Sequence, residues 1–469
     1  MTARLAGGTP LVSEVAAPQS VLRTLAGRWP DRYPALLESV AAGELGRYTI
    51  LFGPPVQTLS RQPGGAVQLT NDEPSRATHF LDALAAAWAN TARSVSARLD
   101  DGTELPFCGG WLVLLGYEVA AEVEPSLSLP ASDLPFDALA LRIDSALIFD
   151  SHSQRLYAVA EAGRDVALRQ RVDDALSCHT GPVAGRVTAL RISEEPADLY
   201  LRRIARAQAY VAAGDVYQAN LSRRWRAELE PGWRPLALYE QLCAANPAPF
   251  AALLQWQGVT VASSSPERLL QVKGRAISTR PIAGTRPRTH APNADQREAL
   301  ALVAHPKERA EHVMLIDLER NDLGRVCEAG SVTVDEFMVT ETYAHVHHIV
   351  SSVRGSLRRD VTVIDALRAL FPGGTITGCP KVRCMEIIAE LEGEARGFYT
   401  GSLGYFSCDG GADFNILIRT LTACGDRVEL RAGAGIVADS NAARELEETR
   451  AKARGLLLAL DTADPTTSS

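Results

Sequence analysis

The chain has 469 residues, 46% of them apolar, with 48 lysines and arginines against 56 aspartates and glutamates. That length allows two to four domains or one large α/β body, and it buries enough surface to need no metal or disulfide staple. The net charge of −8, with both signs dispersed, excludes the concentrated basic footprint of nucleic-acid binding, and no apolar run is long enough to span a membrane. The first twenty residues lack a basic start followed by an apolar stretch, so no secretory signal is read there. The eight cysteines form no CxxC pair and read as free thiols. A soluble cytoplasmic protein is expected.

Along the chain, the Ala-, Gly-, Pro- and Ser-rich residues 1–20 read as loose. Residues 48–52 have strand character, 80–97 helix character, and 138–149 read as one apolar strand. The stretch 106–118 reads as a glycine-kinked strand pair. A turn-rich seam at 179–186 precedes Ser193-Glu-Glu-Pro196, where Ser193 is a candidate helix cap. The expected organisation is therefore an N-terminal region 1–190, a catalytic region 191–460 and a polar tail 461–469. In the second region, helices at 196–213, 296–318, 364–370, 382–391 and 442–460 alternate with strands at 219–226, 258–263, 269–272, 348–354, 401–407, 413–423 and 428–434. Joins as short as Cys408-Asp-Gly-Gly411 and Cys424-Gly-Asp426 force antiparallel pairing. The expected class is α+β, with large antiparallel β-sheets packed by outer helices.

Four carboxylates stand out for chemistry. Glu308 and Glu311, like Glu445 and Glu448, are three apart in helical segments, so each pair shares a helix face. Two such helices opposed would make a hard oxygen site suited to Mg²⁺, although carboxylates at this spacing also decorate ordinary exposed helices. Glycine-rich stretches at 280–287, 371–381 and 431–436 let backbone N–H groups approach an anion, or simply make tight turns. Arg419, among the apolar residues 416–420, needs a partner: a bound carboxylate or a structural acid. Of His345, His347 and His348, period two puts the first two on one strand face and His348 on the other. No zinc-ligand spacing accompanies them.

The ordered motifs Gly214-Asp-Val-Tyr-Gln-Ala-Asn-Leu-Ser222, Ser264-Ser-Pro-Glu-Arg268, Pro281-Ile-Ala-Gly-Thr285 and Glu311-His-Val-Met-Leu-Ile-Asp-Leu-Glu-Arg-Asn-Asp-Leu-Gly324 are followed by 371–383, Tyr405, Gly433-Ala-Gly435 and 445–452. Together they resemble the chorismate-utilising enzyme family, strongly over 195–460 and more weakly before it. That resemblance implies the anthranilate synthase component I-like fold. It also implies Mg²⁺ held by Glu311 and Glu448, with Glu308 and Glu445 nearby. Arg419 and Tyr399 match residues gripping the enolpyruvyl carboxylate, helped by backbone at Gly433 and Gly435, and Lys452 matches a lysine at the metal-side carboxylate. Glu267 matches the general acid that protonates the departing C4 hydroxyl, and His348 and Thr375 match substrate-facing residues. Gly284 and Thr285 would line the substrate beside Ala283.

Gln218 stands where the water-using members carry a lysine base, which implies ammonia as nucleophile, supplied by a separate glutamine amidotransferase subunit because no Gly-x-Cys-x-Gly elbow occurs here. Asn246-Pro-Ala-Pro-Phe-Ala251 and the stretches 371–378, 385–391 and 401–405 resemble the aminodeoxychorismate synthase branch, which serves folate synthesis. Ala283 resembles the anthranilate synthases instead, and an alanine cannot attack chorismate covalently. Leu36-Leu-Glu-Ser39 also occurs in tryptophan-regulated anthranilate synthases, which implies a possible indole pocket near Glu38, Ser39 and Pro249. The expectation is amination of chorismate to 4-amino-4-deoxychorismate, with anthranilate formation as the alternative.

Overall fold

A strand buried at every position needs apolar cover on both faces. Gly110–Leu115 and Ala138–Ile143 are such strands. In the first, Leu112 and Leu114 enter a core shared with Ile50, Phe52 and Leu254, while Trp111 and Val113 face helices on the other side. The computed structural model describes residues 8–40, 46–69, 73–74, 77–178, 185–288, 292–342 and 346–460. His345, the tail 461–469 and most of the turn-rich seam lie outside the described residues.

The fold is α+β, built on two twelve-stranded antiparallel sheets. The first runs Leu11–Val15, Arg155–Ala160, Ser145–Asp150, Tyr48–Phe52, Ala35–Glu38, Phe250–Trp256, Val259–Ser265, Thr420–Cys424, Arg427–Ile436, Gln218–Leu229 and Ala189–Glu194, with Gly378–Cys379 beside Gln218–Leu229. The second runs Ile282–Pro287, Val346–Ser356, Ala276–Arg280, Arg268–Lys273, Ala412–Asn415, Ser402–Ser407, Gly110–Leu115, Ala138–Ile143, Pro55–Arg61, Val67–Leu69 and Glu73–Pro74, with Thr333–Thr342 beside Val346–Ser356. Among the described residues the three largest cores are one between the sheets and two under the outer helices. Both sheets take strands from either side of residue 190. Among the described residues no helix is long and apolar enough to cross a membrane.

The chain passes between sheets at short crossings, at 53–54, Asp144, 266–267 and 416–419. These account for several departures from the sequence reading. The apolar run 138–149 is two strands, one per sheet, and 413–423 is likewise two, with Arg419 in the connection at φ +51°. The helix expected over 296–318 is two, Pro292–Ala304 and Pro306–Gly324, because Pro306 lacks an N–H and holds His305 extended. The stretch 106–118 holds one strand and a helical turn, Tyr117–Val119, not a strand pair. The helix expected to reach 97 ends at Ala89. Ser193 sits in strand Ala189–Glu194, and the next helix begins at Ala197 behind Pro196.

Candidate active site

Two of the crossings lie side by side and carry two of the expected residues. Glu267 occupies the first and Arg419 the second. Ile416 N–H donates to Glu267 O at 3.0 Å, Ser264 N–H donates to Arg419 O at 3.0 Å, and the Ser265 hydroxyl donates to Ile416 O at 2.6 Å. The positive φ at Arg419 is backbone strain that an L side chain tolerates only when its surroundings hold it. Arg419 is the last residue of its crossing, immediately before strand Thr420–Cys424.

Glu267 is 3% exposed. Burial pushes its carboxyl up to about 8, partly offset by Thr375 and the Ile282 N–H, which lies 3.4 Å from Oε1. Thr375 is close enough to exert that effect, although its hydroxyl makes no hydrogen bond of good geometry among the described residues. A carboxyl in this setting is protonated at neutral pH, the state a general acid requires.

His348 comes from the second sheet and is 2% exposed. Its Nδ1 lies 3.3 Å from Gly284 O and its Nε2 lies 3.3 Å from Arg419 Nη2. A carbonyl only accepts and a guanidinium only donates, so Nδ1 carries the proton and Nε2 accepts. Burial, then Arg419, lowers its pKa to about 3, so the ring is neutral and its tautomer fixed. Gly284 itself has φ +66°, and a Cβ there would lie 2.8 Å from Glu308 Oε2. Ala283 is on the same strand, paired with Ile349, and Thr285 pairs with His348.

The first sheet supplies the opposite side. Gln218 and Asn220, two apart on strand Gln218–Leu229, share a face, and Gln218 Oε1 and Asn220 Oδ1 are buried without a hydrogen-bond partner among the described residues. Buried polar atoms are normally satisfied, so unmet ones in a cluster mark where a polar ligand fits. The facing strand Arg427–Ile436 brings Gly435 so close that a Cβ would lie 2.1 Å from Gln218 Nε2, and a Cβ on Gly433 would lie 2.9 Å from the Tyr399 hydroxyl. Burial raises Tyr399 to about 12, so its hydroxyl stays a donor. Beneath it, Arg396 is bound to Glu392 at 2.7 Å, and Glu392 also takes the Ser222 N–H.

Helix Ala442–Ala459 places Glu448 2.7 Å from Lys452, whose Nζ donates to Gly433 O at 3.1 Å. Glu445 and Glu448 both act on the Tyr200 hydroxyl, which burial foremost raises well above its usual range. Glu308 and Glu311 lie on helix Pro306–Gly324. The all-oxygen donor set suits a hard divalent cation. Among the described residues, however, no three acids, histidines or cysteines are gathered to metal-binding distance.

Glu38, Ser39 and Pro249 fall elsewhere. Glu38 ends strand Ala35–Glu38, opposite Ala251, and its carboxylate is held by Arg23 at 2.8 Å and the Tyr239 hydroxyl at 2.7 Å. Pro249 is buried. Asn220, Glu319, Glu392 and Arg396 were not singled out from the sequence. The first two lie inside quoted motifs, but nothing in spacing marks which motif residues are buried.

A family model described as chorismate binding enzyme matches residues 46–458. The chain is similar to anthranilate synthase component 1 of Streptomyces coelicolor, at 40% identity over 97% of this chain and 88% of that protein. It is also similar to aminodeoxychorismate synthase component 1 of Bacillus subtilis, at 37% identity over 93% of each. The crystal structure of anthranilate synthase component I from Streptococcus pneumoniae matches with a TM-score of 0.78 and 30% identity, over 88% of this chain and 93% of that one.

Proposed function

The chain belongs to the chorismate-binding enzyme family, and from that premise we propose that it aminates chorismate with ammonia to 4-amino-4-deoxychorismate in the cytoplasm. The observation that carries amination of chorismate is Glu267, an acid buried and protonated at neutral pH at the junction of both sheets; the choice of C4 rests on the resemblance of 246–251, 371–378, 385–391 and 401–405 to the aminodeoxychorismate synthase branch. Hydroxide leaves poorly, so C4–O cleavage needs a proton, which Glu267 gives as the oxygen departs as water. Ammonia forms the new bond at C2 as the ring double bonds shift. A second ammonia at C4 then expels the C2 ammonium as ammonia, and the new C4 ammonium returns a proton to the Glu267 carboxylate, leaving the 4-amino product. Gln218, a neutral amide whose carbonyl oxygen has no hydrogen-bond partner among the described residues, accepts a hydrogen bond from ammonia but cannot activate water.

In this reading Arg419 and Tyr399 hold the enolpyruvyl carboxylate, with backbone at Gly433 and Gly435. His348, Thr375, Gly284 and Thr285 bound the ring, and Lys452 stands at the ring carboxylate. Mg²⁺ would be held by Glu311 and Glu448, with Glu308 and Glu445 around it, and when bound would neutralise the ring carboxylate. The ammonia source is a separate glutamine amidotransferase subunit. Glu38, Ser39 and Pro249 are proposed as an indole pocket whose carboxylate is already engaged by Arg23 and Tyr239.

Ala283 favours a second reading, anthranilate formation, in which the 2-amino adduct loses pyruvate from C3 instead of meeting a second ammonia. The test is product identification with purified protein, chorismate, ammonium and Mg²⁺, with and without aminodeoxychorismate lyase. p-Aminobenzoate formed only with the lyase supports C4 amination. Anthranilate formed without it replaces this reading with the second.

A further inference from the structure

Helix Pro306–Gly324 bears two buried acids that the mechanism above does not use. Glu319 and Asp322, three apart on one face, are each 3% exposed, at the far end of the helix from Glu308 and Glu311. Asp322 forms an ion pair with Lys381, whose Nζ also donates to Leu370 O at 3.3 Å. Leu370 and Lys381 bracket the loop that carries Thr375, so the pair ties both ends of that loop to the helix. Glu319 reaches its middle: Oε1 is 3.1 Å from where a Cβ on Gly374 would sit, and the Gly374 N–H and Thr279 hydroxyl both favour its charged form. The loop is fixed from the other side by Asn220 Nδ2, which donates to Thr375 O at 3.2 Å, and internally by the Thr377 hydroxyl on Gly373 O at 2.9 Å.

We propose that Glu319 is a positioning residue for chorismate turnover, holding the Gly374–Ile376 turn from beneath and with it Thr375, beside the acid Glu267. The proposal rests on the role given to Glu267 above. Among the described residues the charged groups that act on Glu319 are Asp322 from its own helix and Lys381 from helix Lys381–Glu392, and those that act on Glu267 are Glu319 and Lys452 of helix Ala442–Ala459. Burial first, and then Asp322, raises Glu319 against the pull of Lys381. Across the turn, Glu319 in its charged form opposes ionisation of Glu267. Two buried acids that feel one another titrate as a pair, and removing one lets the other ionise at lower pH.

The experiment compares Glu319→Gln, which keeps volume and an acceptor but no charge, with Glu319→Ala, which keeps neither. The Glu267 carboxyl is followed by ¹³C NMR against pH, its resonance assigned by its loss in Glu267→Gln. The pH dependence of kcat and KM for chorismate is measured on the same proteins. In Glu319→Gln the Glu267 midpoint falls and the alkaline limb of kcat moves down with it, while KM holds. In Glu319→Ala the limb moves similarly and KM rises several-fold, a loss the Gln variant rescues. An unmoved midpoint in Glu319→Gln overturns the proposal, as does equal loss of activity in both variants with the limb unmoved. A wild type inert toward chorismate overturns the functional reading instead, and the NMR midpoint still decides the coupling.

Discussion

Glu267 and His348 have opposite protonation shifts with one main cause. Burial penalises whichever form is charged, so it raises the acid to about 8 and lowers the imidazole to about 3. Both groups are then neutral at pH 7, the acid with a proton to give and the ring with its proton committed to Gly284 O. Replacing Glu267 with Gln removes the transferable proton and nothing of the shape. We expect kcat for chorismate loss to fall about 10²–10⁴-fold, and the decline of wild-type kcat above pH about 8 to vanish; a variant that keeps the wild-type rate would refute the role. For His348, the folded pKa lies below the ordinary value of 6.5, so the unfolded chain takes up the proton first. Stability is therefore lost as pH falls below 6.5, by about 1.4 kcal/mol per pH unit and about 2 kcal/mol by pH 5. Urea midpoints at pH 6.5 and 5 in wild type and His348→Asn measure it: the wild type should lose more.

Helices and strands set how far apart the charged groups start. Glu308 and Glu311 share one helix, and Glu445 and Glu448 another, as the three-residue spacing predicts. Spacing says nothing of whether two helices face each other, and among the described residues the acids are not gathered to metal-binding distance by themselves. If Mg²⁺ is what unites them, Glu311→Ala and Glu448→Ala should each raise the Mg²⁺ concentration for half-maximal turnover at least tenfold, while circular dichroism and Tm change little. Mg²⁺-dependent turnover left intact in either variant would remove that carboxylate from the set. Strand geometry was legible where period two or a short turn governed it, as at the Cys424–Arg427 hairpin. It was misread wherever one apolar run served two sheets, because a crossing changes the direction of the chain and not its hydropathy.

At the scale of the molecule, the proposed boundary near residue 190 separates stretches of sequence, and strand pairing passes across it. Phe250–Trp256 pairs with Ala35–Glu38, and Ser402–Ser407 pairs with Gly110–Leu115. Expressing residues 191–460 alone would strip both strands of a neighbour and expose the inter-sheet core containing Leu254 and Leu403. We expect that fragment to show no cooperative unfolding transition, and to regain one when residues 1–190 are supplied in trans; a stable soluble fragment that unfolds cooperatively alone would contradict this.

The sequence by itself determined the α+β class, the antiparallel pairing and the family, because hydrophobic period, turn chemistry and ordered motifs are properties of neighbours along the chain. Tertiary structure alone decided that Glu267 and Arg419 sit on adjacent crossings, that His348 is a neutral ring between Gly284 and Arg419, and that Glu319 lies against Gly374. Desolvation and contact between residues tens to hundreds of positions apart depend on which faces the two sheets bury, and no local pattern encodes that.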